Sequence, residues 1–320
     1  MELKNSFCTI VTKDYLAWSL SLYNSITVFD KNIVLNVLVT DIDSVEDIEI
    51  PYPTHVNIVT LKQLNSLEIV KKLQEKYNVA PNILRWSLKP AFIYYLLAKY
   101  EKIIYSDSDI YYFNNFQFLF EKLNGNNVLL TPHWRSKDPE IDNPNFKLLF
   151  SGGLFNGGFI AVNNKAKHVM QFWAKNCLEI CELNLAKGNF ADQTHLNLLP
   201  IYFDKVKILK HRGCNIANWN QVECKRTIDN NGNVVINDDF PIVFIHFTKS
   251  TIMGILKGYD TLLYPFLKKY NHSLVKYGFE NLIEKYTNEI KNTKNQPRDK
   301  PWVKFKKRIK NKLKKLIKRA

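Results

Sequence analysis

Residues 101–115 read EKIIYSDSDIYYFNN, and this stretch decides the fold class and gives the first indication of a function. Apolar and aromatic residues ending in Tyr105 lead to two aspartates one residue apart, Asp107 and Asp109, and apolar and aromatic residues resume at Ile110. A strand that enters a protein core is not expected to end in two carboxylates unless something there requires negative charge. The end of this strand is therefore the first candidate for a functional site.

The first half of the chain alternates strand-like and helix-like segments. The predicted strands are FCTIVT (7–12), IVLNVLVT (33–40), HVNIVTL (55–61), KIIYS (102–106) and NVLLT (127–131), and the predicted helices are 14–28, 62–76 and 87–99. This alternation indicates an α/β fold with a mostly parallel sheet that helices cover on both faces. Such sheets bind ligands at the carboxyl ends of their strands, which is where Asp107 and Asp109 fall.

The second half is less regular. Its predicted elements are a glycine-rich segment and strand (152–164), a long helix (165–185), a short helix (191–199), a hairpin with an Asn-Gly turn (227–237) and a last buried strand, PIVFIHFT (241–248). We see no internal repeat.

The composition is that of a globular protein, with 46% hydrophobic and 13% aromatic residues in 320. No apolar run reaches the roughly 18 residues of a spanning helix, and the amino-terminal sequence lacks the pattern of a signal peptide. The five cysteines are odd in number and form no CxxC pair. We therefore expect a cytoplasmic, reducing compartment, and ordinary helix packing rather than a metal site at Cys177 and Cys181.

The net charge of +15 is concentrated in a tail. Residues 291–320 hold 14 of the 45 Lys and Arg residues but one of the 30 acidic residues, so residues 1–290 are nearly neutral. Within residues 301–320, apolar side chains recur at steps of three and four among ten Lys and Arg residues. This pattern predicts a basic amphipathic helix that attaches to an anionic membrane surface. A solvated charged helix and nonspecific RNA contact are the alternatives.

Asp107 and Asp109 have the spacing of a metal site. Side chains at i and i+2 of an extended segment point to the same side, and two adjacent carboxylates repel unless a cation joins them. All-oxygen ligands suit Mg²⁺ or Mn²⁺. A solvated turn is the alternative, although the flanking apolar residues disfavour it. His246, which ends an apolar strand, is a candidate third ligand, and the alternative for it is a core histidine.

Four segments occur in the order and approximate spacing of the GT-A-fold nucleotide-sugar glycosyltransferases. They are LKPAFIYYLLAKYEKIIYSDSDIYYF, FNGGFIAVNN, ADQTHLNLL and VFIHFT. Over about residues 5–260 the chain resembles most closely the family 8 retaining enzymes, which include bacterial lipopolysaccharide galactosyl- and glucosyltransferases. The resemblance implies a GT-A (Rossmann-like) catalytic domain in residues 1–290. It also implies transfer of a hexose, with retention, from UDP-hexose to a saccharide or lipid-linked acceptor in cell-surface polysaccharide or lipopolysaccharide synthesis.

The resemblance also implies roles for individual residues. Mn²⁺ (or Mg²⁺) is held by Asp107, Asp109 and His246, and Asp107 also contacts the nucleotide ribose. The implied nucleotide and donor contacts are Thr9, Thr12, Lys89, Asn156 and Gly157. Asp192 and Gln193 are the implied catalytic pair beside the anomeric carbon.

Two motifs depart from the family pattern. The family's HxxGxxKPW is HFTKSTIMG here, so Lys249 or Lys257 is expected to replace the diphosphate-binding lysine. DQTHLN lacks the second aspartate of the family's DQDxLN, which affects the identity of the sugar. Asn215 and Trp219 in GCNIANWN suit sugar binding or a turn, and HWRSKDP (133–139) suits either the acceptor side or a solvated loop.

Three other functions stay open from sequence. An inverting glycosyltransferase or a nucleotidyltransferase would use a related sheet, and a nucleic-acid-binding protein would act through the basic tail. We expect no specific nucleic-acid partner, and we expect the protein on the inner face of the cell membrane, held there by residues 301–320.

Overall fold

The strand that precedes Asp107 lies in the middle of a seven-stranded sheet in the computed structural model, which describes residues 3–295. The strands are β1 (Leu3–Val11), β2 (Val34–Val39), β3 (Val56–Thr60), β4 (Tyr100–Ser106), β5 (Ile110–Tyr112), β6 (Val128–Pro132), β7 (Phe155–Asn163), β8 (Leu183–Asn184), β9 (Asn189–Phe190), β10 (Val206–Ile208), β11 (Arg226–Ile228), β12 (Val234–Ile236), β13 (Phe240–Pro241) and β14 (Phe244–His246). The predicted helix at 301–320 lies outside the described residues.

Helices flank this sheet and continue beyond its last strand. They are α1 (Leu16–Thr27), α2 (Leu61–Leu64), α3 (Glu68–Tyr77), α4 (Pro81–Ser87), α5 (Lys89–Leu96), α6 (Gln117–Glu121), α7 (Asn143–Ser151), α8 (Lys167–Glu179), α9 (Leu199–Tyr202), α10 (Lys249–Leu256), α11 (Tyr264–Lys276) and α12 (Leu282–Asn295). No helix within residues 3–295 has both the length and the apolar character needed to cross a bilayer.

The sheet order is β10-β6-β7-β4-β1-β2-β3, and β7 alone in this sheet runs antiparallel to its neighbours. The predicted mostly parallel α/β sheet is therefore confirmed. The reversed direction of β7 brings its amino end to the carboxyl end of β4: Ser106 pairs with Phe159, and the Asp107 amide donates to the Gly158 carbonyl at 2.8 Å. The glycine-rich segment thus lies beside the two aspartates.

Alternating side chains of β4 supply two cores, one on each face of the sheet. Ile103 and Tyr105 belong to the cluster that contains Phe92 of α5 and Trp173 of α8. Ile104 belongs to the cluster on the other face, which contains side chains of α1 and α6. Each fully buried side chain of this size contributes about 1.5–3 kcal/mol to stability. Because alternate residues of a strand point to opposite faces of the sheet, burial of these side chains on both faces fixes the orientation of β4.

The last predicted strand does not join the main sheet. Residues 241–248 contain the last residue of β13 and, separately, β14, and β14 pairs antiparallel with β5. In this pairing His246 lies opposite Ile110, and the Phe247 amide donates to the Asp109 carbonyl at 2.8 Å. The short β5–β14 pair therefore places His246 next to the two aspartates.

Several predicted helices differ in their bounds. The helix expected at 62–76 is two helices, α2 and α3, and the one expected at 165–185 ends at Glu179, where Ile180 is extended and the chain enters the β8–β9 pair. Residues 193–198 form a 3₁₀ turn rather than an α-helix. The hairpin is confirmed as β11–β12, with Gly232 at φ 80° in its loop.

Candidate active site

Asp107, Asp109 and His246 form one cluster at the carboxyl end of β4. One ligand atom from each residue lies within 4.8 Å of the other two, and His246 Nε2 is 3.0 Å from Asp109 Oδ1. Burial alone would lower the pKa of His246, but the Asp109 and Asp107 carboxylates raise it above its ordinary value. Two carboxylates and an imidazole at these separations form a donor set that a divalent cation can join.

Gly158 makes room for this cluster. A Cβ atom at Gly158 would lie 2.5 Å from His246 Cε1, 2.8 Å from Asn156 Oδ1 and 2.9 Å from Asp107 Oδ2. These distances are shorter than any normal carbon contact, so only glycine fits while the imidazole and carboxylate keep their places. The residues present therefore fit a divalent metal ion, and the cradle around it requires Gly158.

Lys89 connects the cluster of Asp107, Asp109 and His246 to Asp192, the third aspartate of the site. Its side chain is 4% exposed, and its Nζ atom lies 3.3 Å from both Asp107 Oδ1 and Asp192 Oδ2 and donates to the Gly157 carbonyl at 2.9 Å. Burial disfavours the charged amine, but the two carboxylates outweigh this effect and raise the pKa of Lys89. Pro90 at the second position of α5 costs no hydrogen bond there, so the helix can begin at Lys89.

Asp107 is held ionised by its neighbours. Burial would raise the pKa of Asp107, but Lys89, His246 and the Tyr105 hydroxyl together lower it below its ordinary value. The Tyr105 hydroxyl donates to Asp107 Oδ1 at 2.6 Å. A negative Asp107 is the form that a metal ion requires.

The pKa of Asp192 is shifted in the opposite direction from that of Asp107. Burial raises the pKa of Asp192 to about 6, and Lys89 offsets only part of that rise. The residue before it, Ala191, has φ 48°, a left-handed conformation that costs about 1–2 kcal/mol in a residue with a Cβ atom. The Trp173 indole donates to the Asp192 carbonyl at 2.9 Å, which fixes the backbone in this conformation.

Gln193 and Asn156 hold the glycine-rich segment in place. Gln193 Oε1 accepts from the Gly157 amide at 2.8 Å, and its Nε2 donates to the Gly152 carbonyl at 2.6 Å. Asn156 Oδ1 accepts from the Gly158 amide at 3.0 Å. Both amide side chains therefore fix the backbone that faces the metal cluster.

His133 extends this network and is neutral. Burial, with a smaller contribution from Arg135, lowers the pKa of His133 to about 3. The partners assign the tautomer: Nδ1 donates to the Gly153 carbonyl at 3.0 Å, and Nε2 accepts from Asn156 Nδ2 at 3.2 Å.

Two cavities meet at the metal cluster. The larger, of about 660 Å³, extends past Asn156, Asp192 and Gln193 to Arg135 and Trp219. The smaller, of about 410 Å³, extends from the end of β1 to the carboxyl-terminal helices α10 and α12. Both cavities are lined by the same four residues at their junction: Trp86, Lys89, Asp107 and Asp109.

The sequence resemblance implies an acidic pair that binds a metal ion and the nucleotide, and comparison with known proteins decides the family. The family model described as "Glycosyl transferase family 8" matches residues 8–251, which include every element of this cluster. The chain belongs to glycosyl transferase family 8. The predicted family and the predicted enzyme class, a glycosyltransferase, are thereby confirmed, as is the GT-A α/β fold class of the described residues.

The chain is also similar to individual proteins and to solved structures. The chain is 27% identical to "Uncharacterized protein YfnD" of Bacillus subtilis (strain 168), over 77% of this chain and 78% of that protein. It is 25% identical to "Uncharacterized protein YfnF" of the same organism, over 79% and 84%. Mouse xyloside xylosyltransferase 1 is similar over 78% of this chain and 99% of its own, with 13% identity and a TM-score of 0.47. The galactosyltransferase LgtC is similar over 76% and 86%, with 14% identity and a TM-score of 0.47.

The remaining predicted substrate-binding residues of this family 8 chain differ in whether they line a cavity. Trp219 lines the larger cavity and Lys249 the smaller, where Lys249 Nζ lies 2.9 Å from Glu289 Oε1. Lys257 is exposed after the end of α10 and lines neither cavity. Lys249 is therefore the better placed of the two lysines.

Three predicted contacts lie outside both cavities. Thr9 is buried in β1, whereas its successors Ile10 and Val11 line the smaller cavity, and Thr12 follows the end of that strand. Asn215 is buried with φ 64°, and its amide group has no hydrogen-bond partner within residues 3–295. These three residues stay predictions as substrate contacts.

Sequence reasoning missed part of the family 8 site. Arg85 and Trp86 stand just before the LKP motif and line the smaller cavity, so their nearness to Lys89 was an available signal. Lys285 and Tyr286 of α12 line the same cavity from beyond the family-matched range, and nothing in the sequence indicated them. His133 and Arg135 line the larger cavity, which favours the acceptor-side alternative for residues 133–139.

Proposed function

We propose that the protein is a metal-dependent, retaining hexosyltransferase that uses a nucleotide sugar, UDP-hexose, and a saccharide or lipid-linked acceptor in cell-surface polysaccharide or lipopolysaccharide synthesis. The observation that carries the proposal is the meeting of two cavities at Asp107 and Asp109, whose carboxylates form one cluster with His246. The smaller compartment is assigned to the nucleotide, and the larger one to the transferred sugar and the acceptor.

The metal ion, Mn²⁺ or Mg²⁺, would be held by Asp107, Asp109 and His246. When bound, it would supply Lewis-acid stabilisation of the negative charge on the leaving diphosphate. Lys249, at the edge of the smaller cavity, and Lys285 on the facing helix are the chain's own cations for that charge. Trp18, Trp86 and Tyr286 give this compartment the aromatic walls that suit a nucleoside.

Asp192 faces the charge that develops on the sugar. Cleavage of the bond between the anomeric carbon and the diphosphate leaves positive charge on the ring, and a fixed carboxylate stabilises it. Gln193, the other predicted catalytic residue, lines the larger cavity, and backbone groups engage both ends of its amide; we propose that it positions Gly152 and Gly157, and a catalytic role for it stays a prediction. In retention the leaving phosphate takes the acceptor proton, so no protein base is needed on the opposite face.

Turnover of UDP-glucose and UDP-galactose by the full chain tests this proposal. We expect UDP release that requires Mn²⁺ or Mg²⁺, and a product whose anomeric configuration by NMR is that of the donor. An inverted product would support the inverting alternative instead. If the chain neither binds UDP nor releases sugar with either metal ion, the proposal that UDP-sugars are its donors is contradicted.

We propose that the basic tail attaches the enzyme to the inner face of the cell membrane, with the protein otherwise cytoplasmic and bound to no specific nucleic acid. Each basic side chain near an anionic surface contributes about 1 kcal/mol. Because α12 continues to Asn295, beyond the expected domain end at 290, the truncation that leaves this helix whole removes residues 296–320.

Vesicle sedimentation tests the tail. The full chain is expected to sediment with phosphatidylglycerol vesicles and to be released by high salt, whereas the truncated chain stays in solution and retains turnover on a soluble acceptor. Equal sedimentation of both forms contradicts the membrane role. Tight RNA binding by the full chain, without vesicle binding, would support the RNA alternative for the tail.

A further inference from the structure

Arg135 is a cation without an acidic partner in the larger cavity. It lines that cavity, and within residues 3–295 it forms no salt bridge. Two more deeply buried cations of the described residues are paired, whereas Arg135 is half-buried: Lys89 contacts two aspartates, and Arg226 Nε lies 3.0 Å from Asp260 Oδ2. Since buried charges in proteins are normally paired, an unpaired guanidinium at a substrate cavity indicates a partner that arrives with the substrate.

The guanidinium of Arg135 is held in place. Its Nη1 atom donates to Asn145 Oδ1 at 2.6 Å, and Asn145 Nδ2 donates to Asp142 Oδ2 at 2.7 Å. Asp142 is the N-cap of α7, where its Oδ1 accepts from the Asn145 amide at 3.1 Å. Burial lowers the pKa of Arg135 to about 10, with the Asp142 carboxylate offsetting part of that effect, so the side chain is still protonated at neutral pH. The start of α7 therefore orients a permanent positive charge.

Nearby N–H donors also lack partners. The Nε atom of Arg135 and the Nε1 atom of Trp219 are buried with no hydrogen-bond partner in the part of the chain that the structure describes. The Arg135 Cζ atom lies 6.0 Å from the centre of the Trp219 ring, so the two unsatisfied groups are neighbours. Unsatisfied buried donors are costly, and an oxygen-rich group would relieve that cost.

We propose that Arg135 binds a carboxylate or phosphate group carried by the acceptor saccharide, with Trp219 packing against the sugar ring beside it. This inference rests on the proposed function and adds the chemical class of the acceptor. The acceptor is preferred over the donor because Arg135 lines the larger cavity only, whereas the four residues shared with the nucleotide compartment lie at the junction. A planar guanidinium also matches the two oxygens of either anion.

Three methyl glycosides test the proposal: methyl β-glucoside, methyl β-glucuronide and methyl β-glucoside 6-phosphate. Each is titrated into the full chain in the presence of UDP and Mn²⁺, and its Kd is measured by NMR. The wild type is expected to bind at least one charged glycoside about tenfold or more tighter than the neutral one, the value of a charge-assisted hydrogen bond. The ratio of the Kd values of the two charged glycosides shows whether the site prefers a carboxylate or a phosphate on the acceptor.

Variants assign the preference to Arg135. Arg135→Met is expected to bind all three glycosides with similar Kd, and Arg135→Lys to retain part of the preference. Arg212→Met is the matched control, because Arg212 also lies over an indole, with Cζ 3.4 Å from the Trp134 ring centre, but lines neither cavity. That variant should keep the wild-type preference.

Three results would overturn the inference: no preference for either charged glycoside in the wild type, an unchanged preference in Arg135→Met, or loss of the preference in Arg212→Met. The Kd values of UDP-glucuronate and UDP-glucose are compared in the same protein variants. If Arg135→Met removes a charge preference between these donors but not between the glycosides, the anion that Arg135 binds belongs to the donor. UDP binding in the presence of Mn²⁺ reports separately on the proposed function, so a wild type that binds UDP without any charge preference contradicts this inference alone.

Discussion

The Nε2 atom of His246 lies 3.0 Å from the Oδ1 atom of Asp109, although the two residues belong to distant parts of the chain. The contact depends on backbone pairing, because β14 is hydrogen-bonded to β5 and the Phe247 amide donates to the Asp109 carbonyl. A ligand set assembled in this way is preorganised: the sheet fixes the positions of the side chains before any cation binds.

Replacing Gly158 by alanine should damage the metal cluster directly. The new Cβ atom would overlap His246 Cε1 at 2.5 Å and Asp107 Oδ2 at 2.9 Å. We expect a loss of about 1–3 kcal/mol of stability from overpacking, together with loss of Mn²⁺-dependent turnover. Urea denaturation and turnover assays measure the two effects. Gly125→Ala should change neither stability nor turnover, because nothing lies within 4 Å of the added atom. Wild-type turnover in Gly158→Ala would contradict the claim that the metal site requires glycine at position 158.

Replacing Lys89 by methionine should destabilise the fold. The change leaves two carboxylates without their buried counter-ion, and breaking a buried ion pair costs about 3–5 kcal/mol. Without Lys89 the pKa of Asp192 rises further, so Asp192 is protonated more readily and the loss should be smaller at pH 5 than at pH 7. Urea denaturation at both pH values measures this difference. The exposed Lys99→Met should stay within about 0.5 kcal/mol of wild type at both.

Turnover should depend on the ionisation of Asp192. Because burial raises the pKa of this carboxyl to about 6, the proposed charged form is present above pH 6 and is lost as the pH falls through 6. We expect kcat/KM to decline below about pH 6 in wild type. In Asp192→Asn, kcat/KM should be lower by about a hundredfold, and that part of the pH profile should be flat. An identical acidic decline in the variant would assign it to another group.

Lys285 should contribute to nucleotide affinity although it lies outside the family-matched range. Its side chain lines the smaller cavity and pairs with Glu280, an exposed ion pair that a diphosphate can replace at little cost. Lys285→Met should raise the Kd for UDP about three- to tenfold, the scale of one exposed cation on phosphate. Lys291→Met changes an exposed lysine of the same helix that lines neither cavity, and it should bind UDP as wild type does. Equal UDP affinity in the two variants would remove α12 from the nucleotide site.

Six of the seven strands of the main sheet were predictable because they carry strong local signals, whereas the edge strand β10 was not predicted. The apolar run of residues 102–106 and its neighbours could form only buried strands between helices, and the structure confirms them. The direction of β7 was not predictable, since an isolated strand pattern carries no information on which end of the sheet it starts from. Six helices were not predicted: α4, α6, α7, α10, α11 and α12. For α7 the structure shows no buried residue, although Phe146, Leu149 and Phe150 have helical spacing.

The site was predictable where a motif is local and unpredictable where contacts are distant. Asp107 and Asp109 followed from their spacing. His246 was a candidate ligand as the end of an apolar strand, but its nearness to the aspartates depends on the β5–β14 pairing, which the sequence does not show. The double contact of Lys89 with two aspartates depends on where α5 begins relative to β4. Arg135 was not predictable as a binding residue, because its lack of a direct ion pair within residues 3–295 depends on contacts that a linear sequence does not show.

Mn²⁺ binding in the presence of UDP tests the central claim most directly. Isothermal titration of the full chain is compared with Asp109→Asn and with Asp204→Asn, an exposed aspartate that lines neither cavity. We predict that wild type and Asp204→Asn bind Mn²⁺ alike and that Asp109→Asn binds it more than about tenfold more weakly, since even outer-shell changes cost 10–100-fold. Undiminished Mn²⁺ affinity in a folded Asp109→Asn would contradict the account.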